Sequence, residues 1–149
     1  MNKPGTDFIE INTILDSSPE KLWLAWTTPL MVLKWFGSDP NGKGISAEID
    51  PRPGGGFQIS FADSDHTEHT CFGTYKKVEP NRLLEFSWAW KSERGVESYV
   101  VVHFEPMEEN TRMIFTHSGI GHTSMHNHQQ GWEATFQKLK KVLAEGIDN

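Results

Sequence analysis

From Gly44 to Gly119 the apolar residues recur with a period of two, and beyond Gly119 the period changes to 3.6. No other feature limits the possible folds so sharply. Period two broken by short turns is an antiparallel meander, and a stripe at period 3.6 is one amphipathic helix. Strands are predicted over 45–50, 57–62, 68–78, 83–90, 97–105 and 111–117, joined by turns holding Gly54 to Gly56, Asp63 to Asp65, Pro80 and Asn81, Glu93 to Gly95, and Glu108 to Asn110. In the final segment His128, Trp132, Thr135, Phe136, Leu139, Val142 and Leu143 fall on one stripe opposite Gln130, Lys138 and Lys141, so a long helix should end near Gly146.

Before the meander, residues 8–15 alternate loosely, with β-branched Ile9, Ile11, Thr13 and Ile14, and read as a first strand. Ser18 can cap a helix that starts at Pro19 and carries Leu22, Ala25 and Trp26; Pro29 stops it, and a second short helix with Leu30, Leu33, Trp35 and Phe36 runs to Gly37. The expected fold is α+β: a curved antiparallel sheet of six to seven strands wrapped around the C-terminal helix, with two short helices after strand one. At 149 residues the sequence has room for one domain, 1–149.

Composition excludes several functions. No apolar run approaches the ~20 residues of a membrane-spanning helix. The polar start, Met1 to Asp7, lacks the basic-then-apolar pattern of a secretory signal, so a cytoplasmic location is expected. Cys71 is the only cysteine, which leaves no intrachain disulfide and no cysteine-based zinc finger. A net charge of -6 repels phosphate backbones, and the densest basic group, Lys138, Lys140 and Lys141, reads as a solvated helix face; nucleic acid is not an expected partner. Six tryptophans and nine phenylalanines point instead to a ring-lined interior.

Strand parity selects the inward rows. Leu84, Phe86, Trp88 and Trp90 share one face; Phe57, Ile59 and Phe61 form a second row; Met113, Phe115 and His117 form a third; Val100, Val102 and Phe104 point opposite to Tyr99 and His103. Trp132 and Phe136 on the last helix should meet these rows. A cavity lined by rings with a few polar groups suits an aromatic ligand.

At this point local motifs resemble a known family. Pro19, Leu22, Trp23, Ala25, Trp26, Thr27 and Pro29 are similar to its opening P-x-x-V-W-x-A-W-T-x-P helix, and Trp35 with Phe36 to its paired aromatics. Asp50, Arg52, Gly54 and Gly55 resemble its D-x-R-x-G-G corner, and Gly73 with Tyr75 its G-x-Y strand. Thr111, His117, Ser118 and Gly119 resemble its T-x-x-x-x-x-H-S-G strand, and His128, Gly131 and Trp132 its H-x-x-G-W helix. These motifs, in order over about residues 8 to 145, are those of the helix-grip (SRPBCC, START and birch-pollen-allergen-like) superfamily, in the branch of homologues of the activator of the heat-shock chaperone ATPase. The resemblance implies a cavity between sheet and C-terminal helix, with Trp23, Trp35 and Phe36 as gate candidates at its mouth; Tyr75 is a further candidate ligand-binding residue. It also implies either a small hydrophobic ligand or a heat-shock chaperone as partner.

His117, His122, His126 and His128 have metal-ligand chemistry, but Gly119 and Gly121 argue that no helix has begun at His122, so no shared face is expected there and no metal or cofactor. His117 and His128 are expected as polar groups in or beside the cavity. No nucleophile sits with its base: Cys71 lacks basic neighbours, no G-x-S-x-G occurs, and Glu108 and Glu109 fall in a turn. An enzyme would have to use His117, His128, Glu97 or Tyr75 as acid or base. Asp50 and Arg52 read as a structural ion pair at the Gly54 to Gly56 turn. The leading expectation is a carrier or sensor of a small hydrophobic molecule; a cyclase, dehydratase or hydrolase, and a co-chaperone, are the alternatives. Exposed sheet edges admit either a monomer or a homodimer.

Overall fold

The computed structural model describes residues 8–92, 97–119 and 122–145, the side chains of 122–128 excepted. The chain opens with β1 (Phe8–Leu15), followed by α1 (Pro19–Thr27) and α2 (Pro29–Trp35), then β2 (Lys43–Ile49), β3 (Gly56–Ala62), β4 (Glu68–Glu79), β5 (Leu83–Trp90), β6 (Ser98–Pro106), β7 (Thr111–Ser118) and α3 (His122–Ala144). The seven strands form one antiparallel sheet in the order β1-β7-β6-β5-β4-β3-β2. Strands β2 to β7 therefore make the meander that short turns dictate, and β1 closes beside β7. Since β1 and β2 are opposite edges, the intervening α1 and α2 must cross the sheet, and they pack on β6 and β2 respectively.

Local chemistry sets the helix ends. The Ser18 hydroxyl accepts from the Lys21 N–H at 3.2 Å, with Pro19 at the first helical position. Thr28, which precedes Pro29, is extended at φ -101° and ψ 122°, because a following proline disfavours the helical region. That one residue separates α1 from α2, and the Trp35 indole holds them together by donating to the Ala25 carbonyl at 2.8 Å. The second helix ends at Trp35, earlier than Gly37: Phe36 is already extended and Gly37 has φ +114°.

Two register shifts, between Gly44 and Ser46 in β2 and between Tyr75 and Lys77 in β4, bend the sheet. β4 lies so close to β5 at Gly73 that a β-carbon there would meet the Ser87 carbonyl oxygen at 1.9 Å. Gly54, at φ +88°, forms the corner beside the Asp50–Arg52 pair, whose 2.9 Å contact is the expected ion pair and is exposed. Gly119, at φ +73°, turns the chain out of β7, and α3 starts only three residues later. This corrects the expectation that the helix has not begun at His122: Gly119 makes a turn, and His122 stands in the first turn of α3. Between the second helix and β2, the Asp39 carboxylate accepts the Asn41 N–H at 2.9 Å, the Ser64 N–H at 2.7 Å and the Ser64 hydroxyl at 2.8 Å, while Lys138 on α3 donates to the Asp39 carbonyl at 3.0 Å. These bonds, the Ser64 N–H foremost, hold the Asp39 carboxyl below the usual carboxylate range.

The core lies between the sheet and the three helices. Leu84, Phe86 and Trp88, Phe57, Ile59 and Phe61, Val100, Val102 and Phe104, and Met113, Phe115 and His117 are all buried as parity predicted. Among the described residues no helix is long and apolar enough to cross a membrane.

Candidate ligand-binding site

Nine residues line a small cavity between the short helices and one half of the sheet: Trp26, Val32, Trp35 and Phe36 on the helical side, and Phe57, Ile59, Tyr75, Phe86 and Trp88 on β3 to β5. Its volume is about 20 Å³, the scale of one water molecule. The rings around it meet edge to face: Trp26 and Trp35 have centroids 4.9 Å apart, and Phe57 and Phe86 5.1 Å apart. None of the nine is a charged residue. Burial pushes the Tyr75 phenol well above its usual range, and in the same strand it pushes the fully buried Cys71 thiol up to about 12, so this interior disfavours charge.

The indoles nearby differ in how their N–H groups are satisfied. Trp35 donates to the Ala25 carbonyl, and Trp132 donates to His117 Nδ1 at 2.9 Å. Trp26, only 5% exposed, has a buried Nε1 with no hydrogen-bond partner among the described residues. A buried donor left in this state forfeits about 1–3 kcal/mol.

Next to the cavity, α3 adds a second set of rings. Trp132 lies 4.6 Å and Phe136 5.0 Å from Phe115, and Trp132 also meets Phe36 at 5.8 Å and Trp88 at 5.7 Å. Beneath them runs a buried polar chain. His117 Nε2 is 2.7 Å from Ser98 Oγ, which donates to the Trp88 carbonyl at 3.0 Å. An indole nitrogen only donates, so His117 Nδ1 must accept, and a neutral imidazole then carries its proton on Nε2 and donates it to Ser98. The serine hydroxyl is thus spent on a carbonyl and faces an N–H. This pair has the separation of a nucleophile and base but the opposite proton direction, so it does not activate Ser98.

Of the residues selected from sequence, Trp35, Phe36, Phe57, Ile59, Tyr75, Phe86 and Trp88 line the cavity. Phe115, His117, Trp132 and Phe136 form the adjoining cluster and do not line it, because the α3 rings pack straight onto Phe115. This small cavity lies between the sheet and α1–α2, and a second, open cleft lies between β1 and α3, lined by Ile11, Thr13, Ala134 and Phe136 among others. Phe61 and Trp90 sit at its flank, 6.0 Å apart and each beside His69. Trp23 is half-buried against Phe104, 5.7 Å away on β6, and does not border the cavity. Glu97 is exposed. The side chains of His122, His126 and His128 lie outside those described, though their backbone is helical and puts His122 and His126 one turn apart. Among the described residues no three histidine, cysteine or acidic side chains come together as a metal site. Trp26, expected only as part of the helix stripe, is also a lining residue; no sequence signal marks an unsatisfied donor.

The sequence family described as Activator of Hsp90 ATPase homolog 1-like protein matches residues 16–144. The chain belongs to this family. No curated protein matches the sequence significantly. Solved structures share the family's fold. A protein of Nitrosomonas europaea superposes with a TM-score of 0.81 at 18% identity, covering 97% of this chain and 99% of that one. The AHSA1 protein of Silicibacter pomeroyi gives 0.80 at 24% identity, over 92% and 97%. The AHSA1-like protein of Aeromonas hydrophila gives 0.77 at 21%, over 95% and 96%. At these identities the likeness concerns the fold, a sheet gripping a long helix as in the helix-grip superfamily.

Proposed function

We propose that this AHSA1-like protein binds a small hydrophobic molecule in the ring-lined cavity between α1–α2 and β3–β5, acting as a carrier or sensor. The observation that carries the reading is the cavity wall itself: seven aromatic rings and two aliphatic side chains, with no charged group, around space left unfilled. A ligand larger than one water enters by moving part of the wall. The helical side of that wall is α1 with the short α2 and Phe36 just after it. Trp132 and Phe136 stand beside it, tied to the His117 hydrogen bond and to Phe115. The His117–Ser98 pair is hydrogen-bonded as a structural chain and not as a base and nucleophile.

A thermal-shift screen of the purified protein against aromatic ketones, flavonoids, sterols and fatty acids tests this. Ligand at 100 times its dissociation constant adds about 2.7 kcal/mol, or several degrees in melting temperature. A dose-dependent rise for one chemical class, lost in a folded Phe57→Ala protein, is the expected result. No rise across the panel overturns the reading and leaves the heat-shock chaperone implied by the family's description as the partner to test by pull-down.

A further inference from the structure

Resting on that reading, we propose that the ligand is an uncharged aromatic molecule bearing a hydrogen-bond acceptor, and that the Trp26 indole N–H is its polar anchor. Trp26 belongs to the cavity wall, and its Nε1 is buried with no partner among the described residues. The other helical-side indole, Trp35, is satisfied within the protein, so Trp26 is the donor on that wall that remains to be matched. A purely apolar ligand would leave it unmatched. One presenting a carbonyl, ether or hydroxyl oxygen supplies the missing acceptor at no cost in donors elsewhere. A carboxylate would also accept, but it would have to shed its water among rings with no cation in the wall. The site thus selects on two counts: it takes an acceptor, and it rejects a charge.

The test uses three probes of nearly one shape: acetophenone, α-methylstyrene, in which the carbonyl oxygen is replaced by CH₂, and benzoate, which carries the charge. Dissociation constants are measured for the wild-type chain and for Trp26→Phe, and the quantity read is the ratio of α-methylstyrene to acetophenone. Replacing the indole by a phenyl ring should lower that ratio about tenfold, the effect of one neutral hydrogen bond. Benzoate should bind more weakly than acetophenone to both proteins. Should Trp26→Phe fail to fold, the indole ¹⁵N–¹H signal of Trp26 in the wild type gives the answer: acetophenone moves it to lower field and α-methylstyrene does not. Equal ratios in the two proteins, or equal indole shifts with the two neutral probes, overturn the anchor while leaving the cavity reading standing. If neither neutral probe binds, the anchor falls, and the cavity reading falls with it only when the thermal-shift panel is also silent.

Discussion

At the residue scale the molecule is governed by which buried polar groups find partners. Trp132, His117 and Ser98 form a directed chain ending on the Trp88 carbonyl, every step of which follows from the donor inventory of indole, imidazole and hydroxyl. Trp132→Phe removes the only indole in that chain and leaves His117 Nδ1 without its donor. The expected loss is about 1–3 kcal/mol, read as a lower urea midpoint with an unchanged slope. A change in stability within a few tenths of a kcal/mol would mean that His117 adopts the other tautomer. The inward position of His117 was legible from the alternation of β7, and so were the Phe57, Phe86 and Phe115 rows. The unmatched N–H of Trp26 was not, because it depends on where an indole edge lies after packing, which residue order does not encode.

At the scale of elements, pattern served well for existence and less well for ends. All seven strands and three helices follow from the change of period and from Ser18, Pro19 and Pro29, whose effects are local. The start of α3 did not follow, since Gly119 and Gly121 have the composition of a helix breaker, while the structure uses Gly119 as a left-handed turn directly before it. Contact between strands was equally hidden. Gly73 and Gly56 look alike in the sequence, yet a β-carbon at Gly73 would strike the Ser87 carbonyl, whereas at Gly56 its nearest neighbour is the Gly73 carbonyl at 3.5 Å. Gly73→Ala should therefore cost about 3 kcal/mol or more, by forcing β4 away from β5, and Gly56→Ala should be nearly neutral. Chemical denaturation of the two variants makes the comparison; equal midpoints would contradict the close approach of those strands.

At the scale of the whole molecule, the sheet, α1–α2 and α3 are joined by contacts between residues far apart in the chain. Asp39 links the connection after α2 to the β3–β4 turn through Ser64, and its main-chain carbonyl links to α3 through Lys138. Its folded value lies below that of the unfolded chain, so its carboxylate stabilises the fold fully above about pH 4 and the contribution disappears as pH falls through the lower, folded value. The melting temperature of the wild type should exceed that of Asp39→Asn near neutral pH, and the gap should close on acidification below about pH 4. A gap constant with pH would assign the difference to shape and not to charge. A ring-lined interior was legible in the sequence; which rings border the small space beside α1–α2 was not, because ring volumes settle that only on packing. A carrier or sensor role requires a ligand to enter that space. Intermolecular NOEs from bound acetophenone to aromatic-labelled protein measure this directly: cross-peaks to Trp26, Phe57 and Phe86 are predicted, while cross-peaks confined to exposed side chains such as Phe72 or Ile14, or none at saturation, would contradict it.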